Sequence, residues 1–143
     1  MPRLERKIEI DTKPDKIFSI VTDGLNTPRW NPTVSAISSI NDEKTQLETD
    51  FGTMKIVKTE YETNKLSTWI MEESDMNSIG YILTPKKEAT EVTIWTEYDN
   101  KKLSKLYKKN ADLVLTGLKK YAEFIEEGGN PKLYNKSEIL ATF

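Results

Sequence analysis

The chain contains neither cysteine nor histidine. Without cysteine there is no disulfide framework, no thiolate nucleophile and no cysteine-ligated zinc. Without histidine the commonest general base is gone as well, which excludes Ser-His-Asp and Cys-His catalysis and histidine-bound catalytic zinc. No metal site and no cofactor is implied. No run approaches the roughly 18 apolar residues needed to span a bilayer, so no transmembrane segment is expected. The charged start Met1-Pro2-Arg3-Leu4-Glu5-Arg6-Lys7 leads into no apolar stretch of the secretory kind, and the expected location is the cytoplasm. Neither sign of charge dominates: 21 basic and 23 acidic side chains leave a net −2, which argues against a nucleic-acid partner.

What remains is an ordinary globular composition, 36% hydrophobic and 31% charged over 143 residues, the size of one domain. Ile8 and Ile10 alternate with Lys7 and Glu9, the period of a half-buried strand. Pro14 opens a helix, because proline at the first helical position sacrifices no hydrogen bond, and Asp15 suits the positive end of the dipole. A second short helical turn is predicted around Leu25 to Trp30, ended by Asn31-Pro32. Six strands follow, about 34–40, 45–49, 54–63, 66–73, 78–84 and 90–99, and their short connections imply antiparallel neighbours. The last long element, about 101–127, carries an apolar stripe that includes Tyr107, Ala111, Val114, Leu118 and Tyr121, with lysines and glutamates opposite. The breaker cluster Gly128-Gly129-Asn130-Pro131 separates a domain of residues 1–127 from a tail of residues 128–143.

Turn length fixes register, and register fixes which residues share a face. A two-residue turn at Asn64-Lys65 places Tyr61 beside Thr68, with Val57, Thr59 and Ile70 on the same face. Extending that face through registers that keep apolar residues together adds Ile79, Tyr81, Leu83, Val92, Ile94, Thr96 and Tyr98. This face is taken as the interior. Glu60 and Glu97 then point outward, and no carboxylate pair is placed inside. Trp69 and Trp95, with Met71 and Gly80, are expected on the solvent side.

The order strand, two short helices, six strands, long helix, together with Ile8-Glu9-Ile10-Asp11, Pro14-Asp15-Lys16-Ile17-Phe18, Asp23 and Trp30-Asn31-Pro32, resembles the START-like or SRPBCC superfamily. That superfamily includes polyketide cyclase/dehydrase and lipid-transport proteins, and the resemblance covers roughly residues 3 to 127. It implies an α+β helix-grip fold: a curved seven-stranded antiparallel sheet wrapped around a long C-terminal helix, with a hydrophobic-ligand cavity between them. It also places Trp30 near one end of that cavity. Tyr61, Tyr81, Tyr98 and Tyr107 are candidates to meet a ligand, because a buried phenol needs a hydrogen-bond partner. Asn110 interrupts the apolar stripe of the helix, where a polar side chain is costly unless something satisfies it. Ile70, Ile94 and Val114 complete the nominated ligand-binding set.

Gly117, on the same stripe, is explained by close packing or by cavity space. The expected function is binding of a small hydrophobic molecule, a lipid, isoprenoid or polyketide-like compound, without catalysis. The alternatives are a cyclase or dehydratase, which can work with few catalytic groups, and a partner-binding module of the co-chaperone or quinone-chaperone kind. Homodimerisation is expected, if at all, through the Trp69/Trp95 face or the tail, where Leu133, Tyr134, Ile139, Leu140 and Phe143 supply apolar side chains.

Overall fold

The computed structural model describes residues 2–136. It has the α+β helix-grip architecture. Strand β1 (Arg3–Ile10) leads to helices α1 (Pro14–Thr22) and α2 (Thr27–Trp30). Six strands come next: β2 (Val34–Ser39), β3 (Lys44–Thr49), β4 (Gly52–Glu62), β5 (Leu66–Glu72), β6 (Met76–Pro85) and β7 (Thr90–Tyr98). Helix α3 (Ser104–Glu126) follows. The strands form one antiparallel sheet in the order β1-β7-β6-β5-β4-β3-β2. The chain thus meanders from β2 to β7 and closes by pairing β7 with the N-terminal strand.

Helix α3 lies against β1 and β7, while α2 packs on β2 and α1 approaches β6. Its 23 residues correspond to roughly 35 Å at about 1.5 Å per residue. Ile10, Ile17, Val92, Ile94, Leu115 and Leu118 are fully buried and make the close-packed part of the core. On the surface Arg6 of β1 grips Asp112 of α3 through two bonds of 2.8 and 2.9 Å, which fixes the helix along its strand. The helix stops where Gly128 takes a φ of +91°, a left-handed conformation in which a side chain is strained.

The interior face differs from the sequence expectation in β4 and β5. Glu62, not Thr63, pairs with Leu66, so the connection has three residues and Asn64 sits in its left-handed region at φ +63°. This moves β5 by one residue relative to Tyr61, and a one-residue slip exchanges the two faces. Ser67, Trp69 and Met71 therefore share the face of Tyr81 and Ile79. Thr68 and Ile70 turn outward, with Ile70 48% exposed. A bulge between Lys58 and Glu60 then reverses the alternation within β4, which puts Val57 outside and Ile56 inside. In β6 and β7 the faces are as the sequence implied.

Trp69 and Trp95 consequently lie on opposite faces, and no joint Trp69/Trp95 surface exists for a dimer or a co-chaperone partner. Trp95 covers Gly80 on the outer face: a Cβ at residue 80 would stand 2.6 Å from its ring. The guanidinium of Arg3 rests over the same indole, 4.3 Å from its centroid.

The beginning of the tail is docked. Tyr134 packs on Tyr121 and Phe124, with centroids 5.0 and 5.4 Å away. Lys136 donates to the carbonyls of Asn31 and Val34 at 3.0 and 2.6 Å, and its burial there lowers its pKa. Leu133 is 77% exposed. Ile139, Leu140 and Phe143 lie outside the described residues.

Candidate functional site

Because α3 rests on the β1/β7 side, the sheet stands away from it toward β3 and β5, and the space between is not filled. A cavity of about 520 Å³ occupies it, within the range of small-molecule sites. Its floor is the inner face of the sheet, with Met54, Ile56, Trp69, Met71, Ile79 and Tyr81. Asn110 and Val114 of α3 form the roof. Phe51, on the turn between β3 and β4, closes one side and packs edge-on against Tyr107 with centroids 5.5 Å apart. Trp30 and the end of α1 wall the other side. Asp23, Asp42 and Glu43 stand exposed at the mouth, where the α1–α2 connection faces the β2–β3 turn.

Sulfur and aromatic groups dominate the floor. Methionine fills irregular space and adapts to different shapes, and Trp69 meets Tyr81 at a right angle, 5.9 Å between centroids. Inside the mouth two polar side chains deserve separate account. Tyr81 is nearly buried and Asn110 partly so. Neither side chain has a hydrogen-bond partner among the described residues, and neither is among the polar atoms sealed from solvent, so both leave hydrogen-bonding atoms open to a guest or to water in the cavity. The indole N–H of Trp30 and the hydroxyl of Ser67, which pairs with Tyr81 across β5 and β6, also lack partners, but both atoms are sealed from solvent.

Of the nine nominated residues, Trp30, Tyr81, Asn110 and Val114 line the cavity. Five do not. Ile70 is on the outer face for the register reason given above. Tyr61 keeps the inner orientation but sits at the rim, 59% exposed, with its ring 6.5 Å from Phe18. Ile94 lies in the packed core beneath α3. Tyr98 and Tyr107 lie beyond Phe51 with their hydroxyls already engaged, by Ser104 at 2.5 Å and by Asp75 at 2.7 Å. Of the residues that sequence reasoning missed, Trp69 and Met71 follow from the misjudged turn, and Ile56 and Met54 from the bulge in β4. The available signal was Asn64, a residue that accepts left-handed backbone and so permits a three-residue loop.

Burial pushes the phenols of Tyr81 and Tyr107 up from their ordinary value, and in Tyr107 the hydrogen bond and charge of Asp75 add to it. The folded state then holds these protons more tightly than the unfolded chain, whose tyrosines titrate near 10. This contribution to stability is complete below about pH 10 and is lost as pH rises above it. Alkaline unfolding is therefore expected, and in a phenolate titration two tyrosines should ionise only together with loss of the fold.

No group of three or more carboxylates among the described residues is placed to hold a metal ion. None of the described lining residues is a lysine or arginine. No helix among the described residues is long and apolar enough to cross a membrane. The site thus offers a largely apolar volume open at one mouth, with neutral polar side chains including Tyr81 and Asn110 and an acidic rim.

Residues 1–123 match the family model described as polyketide cyclase/dehydrase and lipid transport. The chain belongs to this family. Among solved structures, a START superfamily protein from Mycobacterium smegmatis superposes with a TM-score of 0.74 at 15% identity, covering 86% of this chain and 98% of that one. A Streptomyces aromatase/cyclase gives 0.76 at 12% identity, covering 90% and 99%. The Aha1 dimer from Colwellia psychrerythraea gives 0.69 at 19% identity, covering 86% and 97%. At these identities the likeness is one of fold. No curated protein matches the chain in sequence.

Proposed function

We propose that this family member binds a small hydrophobic molecule, a lipid, isoprenoid or polyketide-like compound, in the cavity between the sheet and α3, and does so as a carrier or sensor rather than as an enzyme. The observation that carries the reading is the 520 Å³ volume lined by Met54, Ile56, Trp69, Met71 and Ile79. Interiors are otherwise close-packed, and an apolar space of this size is stabilised when a guest restores the lost contacts. The carboxylates of the lining stand at the exposed mouth, and no acid–base pair is formed by the described residues deeper in.

Native mass spectrometry of gently purified protein tests this directly. The expected spectrum contains an adduct that organic solvent extracts as an apolar compound, and the emptied protein takes up the neutral dye Nile red. A spectrum of bare protein alone, with no dye uptake, overturns the reading. A cyclase remains the second reading, supported by the similarity in fold to an aromatase/cyclase and by a roof and floor able to hold a chain in a bent shape. Conversion of an added poly-β-ketone chain to a ring would put it first.

A further inference from the structure

We propose that Asn110 and Tyr81 form a neutral polar grip that selects ligands bearing an uncharged oxygen function, a hydroxyl or a carbonyl, and that the cavity discriminates against carboxylates. This rests on the reading of the cavity as a ligand site and goes further by stating what kind of polar group the ligand carries.

One of the two residues comes from the helix and the other from the sheet, so a guest between α3 and β6 meets both. Asn110 offers a carbonyl acceptor and an amide donor, and Tyr81 offers a hydroxyl that donates or accepts. Neither has a hydrogen-bond partner among the described residues, whereas the hydroxyls of Tyr98 and Tyr107, farther along the interior, are engaged by Ser104 and by Asp75. Asparagine has poor helix propensity, and its place between Tyr107 and Val114 on the buried side would suit leucine better for folding alone.

A hydroxyl or carbonyl of the guest satisfies both groups without bringing a charge inside. A carboxylate entering the same place would be stripped of water with no described cationic lining residue to meet it, and burial of an unpaired charge is far more costly than burial of a dipole. Asp23, Asp42 and Glu43 at the mouth add repulsion in the same sense. They are exposed, so salt weakens their part. The neutral interior is what excludes an ammonium end as well: the acids that would attract a cation are at the rim, away from Tyr81 and Asn110.

The experiment is displacement of Nile red from the emptied full-length protein at neutral pH by decan-1-ol, decanoate and decylammonium, compared in wild type, Asn110→Leu and Tyr81→Phe. Decanol is expected to displace the dye at concentrations at least about tenfold lower than either charged homologue, a difference of about 1.4 kcal/mol by the affinity constant relation. In Asn110→Leu and Tyr81→Phe the preference for decanol over the charged homologues should shrink, each variant's displacement being scaled to its own Nile red affinity, while thermal stability is retained. Leucine at 110 favours the helix, and phenylalanine keeps the ring that packs on Trp69, so both variants fold. Equal displacement by decanol and decanoate, a preference for decylammonium, or a decanol preference that survives both substitutions overturns this inference while leaving the cavity reading intact. Failure of wild-type protein to bind Nile red at all overturns the cavity reading, and this inference with it.

Discussion

Gly117→Val is expected to lower the melting temperature by about 6–12 °C, from a cost of about 3 kcal/mol at roughly 2–4 °C per kcal/mol for a chain of this size. A Cβ at this position would lie 2.7 Å from Cδ of Pro32 and 2.8 Å from the carbonyl oxygen of Trp30. One of those atoms is backbone and the other belongs to a rigid ring, so neither can swing aside. The segment from Trp30 to Val34 is buried throughout and is fastened internally, the Asn31 side chain accepting from the amide and hydroxyl of Thr33 at 2.9 and 2.8 Å. Relief requires α3 to lift from that segment, which widens the gap over the whole cavity. Gly117→Ala should act in the same direction with a smaller loss, because alanine recovers up to about 1 kcal/mol of helix propensity. Thermal unfolding followed by circular dichroism decides the matter, and an unchanged transition would show that the helix and the Trp30–Val34 segment are not held together as described.

Val114→Trp has the largest expected effect on binding. Val114 is buried and lines the cavity one helical turn from Asn110, so an indole there grows into empty space instead of into neighbouring side chains. Filling that space removes the guest's volume while supplying some of the guest's contacts. Nile red affinity should fall by more than about tenfold, equivalent to about 1.4 kcal/mol, with the melting temperature held or raised. Ile94→Ala is the matching control from the packed core: burial of that side chain is complete, and its truncation is expected to cost about 2–5 kcal/mol. Retained dye binding in Val114→Trp would mean that the guest occupies some other place.

Much of the fold could be read directly because its signals are local. Pro14 and Asp15 mark the start of α1, Asn31-Pro32 marks the end of α2, and the stripe from Tyr107 to Tyr121 repeats with helical period along a single element. The inner faces of β6 and β7 were legible for a similar reason: Ile79, Tyr81, Leu83, Val92 and Ile94 alternate without interruption. Asn110 announced itself as the polar residue of an apolar stripe, and the structure places it in the roof of the cavity.

The floor of the cavity was not legible in the same way. Tyr61, Thr68 and Ile70 satisfy alternation as well as Ser67, Trp69 and Met71 do, and only the three-residue turn at Thr63-Asn64-Lys65 and the bulge before Glu60 choose between them. Both are matters of one residue, and a one-residue change leaves composition and periodicity untouched while exchanging faces. Likewise nothing in Ile94, Tyr98 or Tyr107 as residue types separates a core position from a cavity wall, since both are buried and apolar. Element boundaries and the amphipathic helix were set by the sequence itself, through backbone preference and the spacing of apolar side chains. Where the helix touches the sheet and where it stands clear was decided by tertiary packing, because Arg6 against Asp112 holds α3 along β1 and Gly117 against Pro32 seats its inner face on the Trp30–Val34 segment, leaving Asn110 and Val114 over open space.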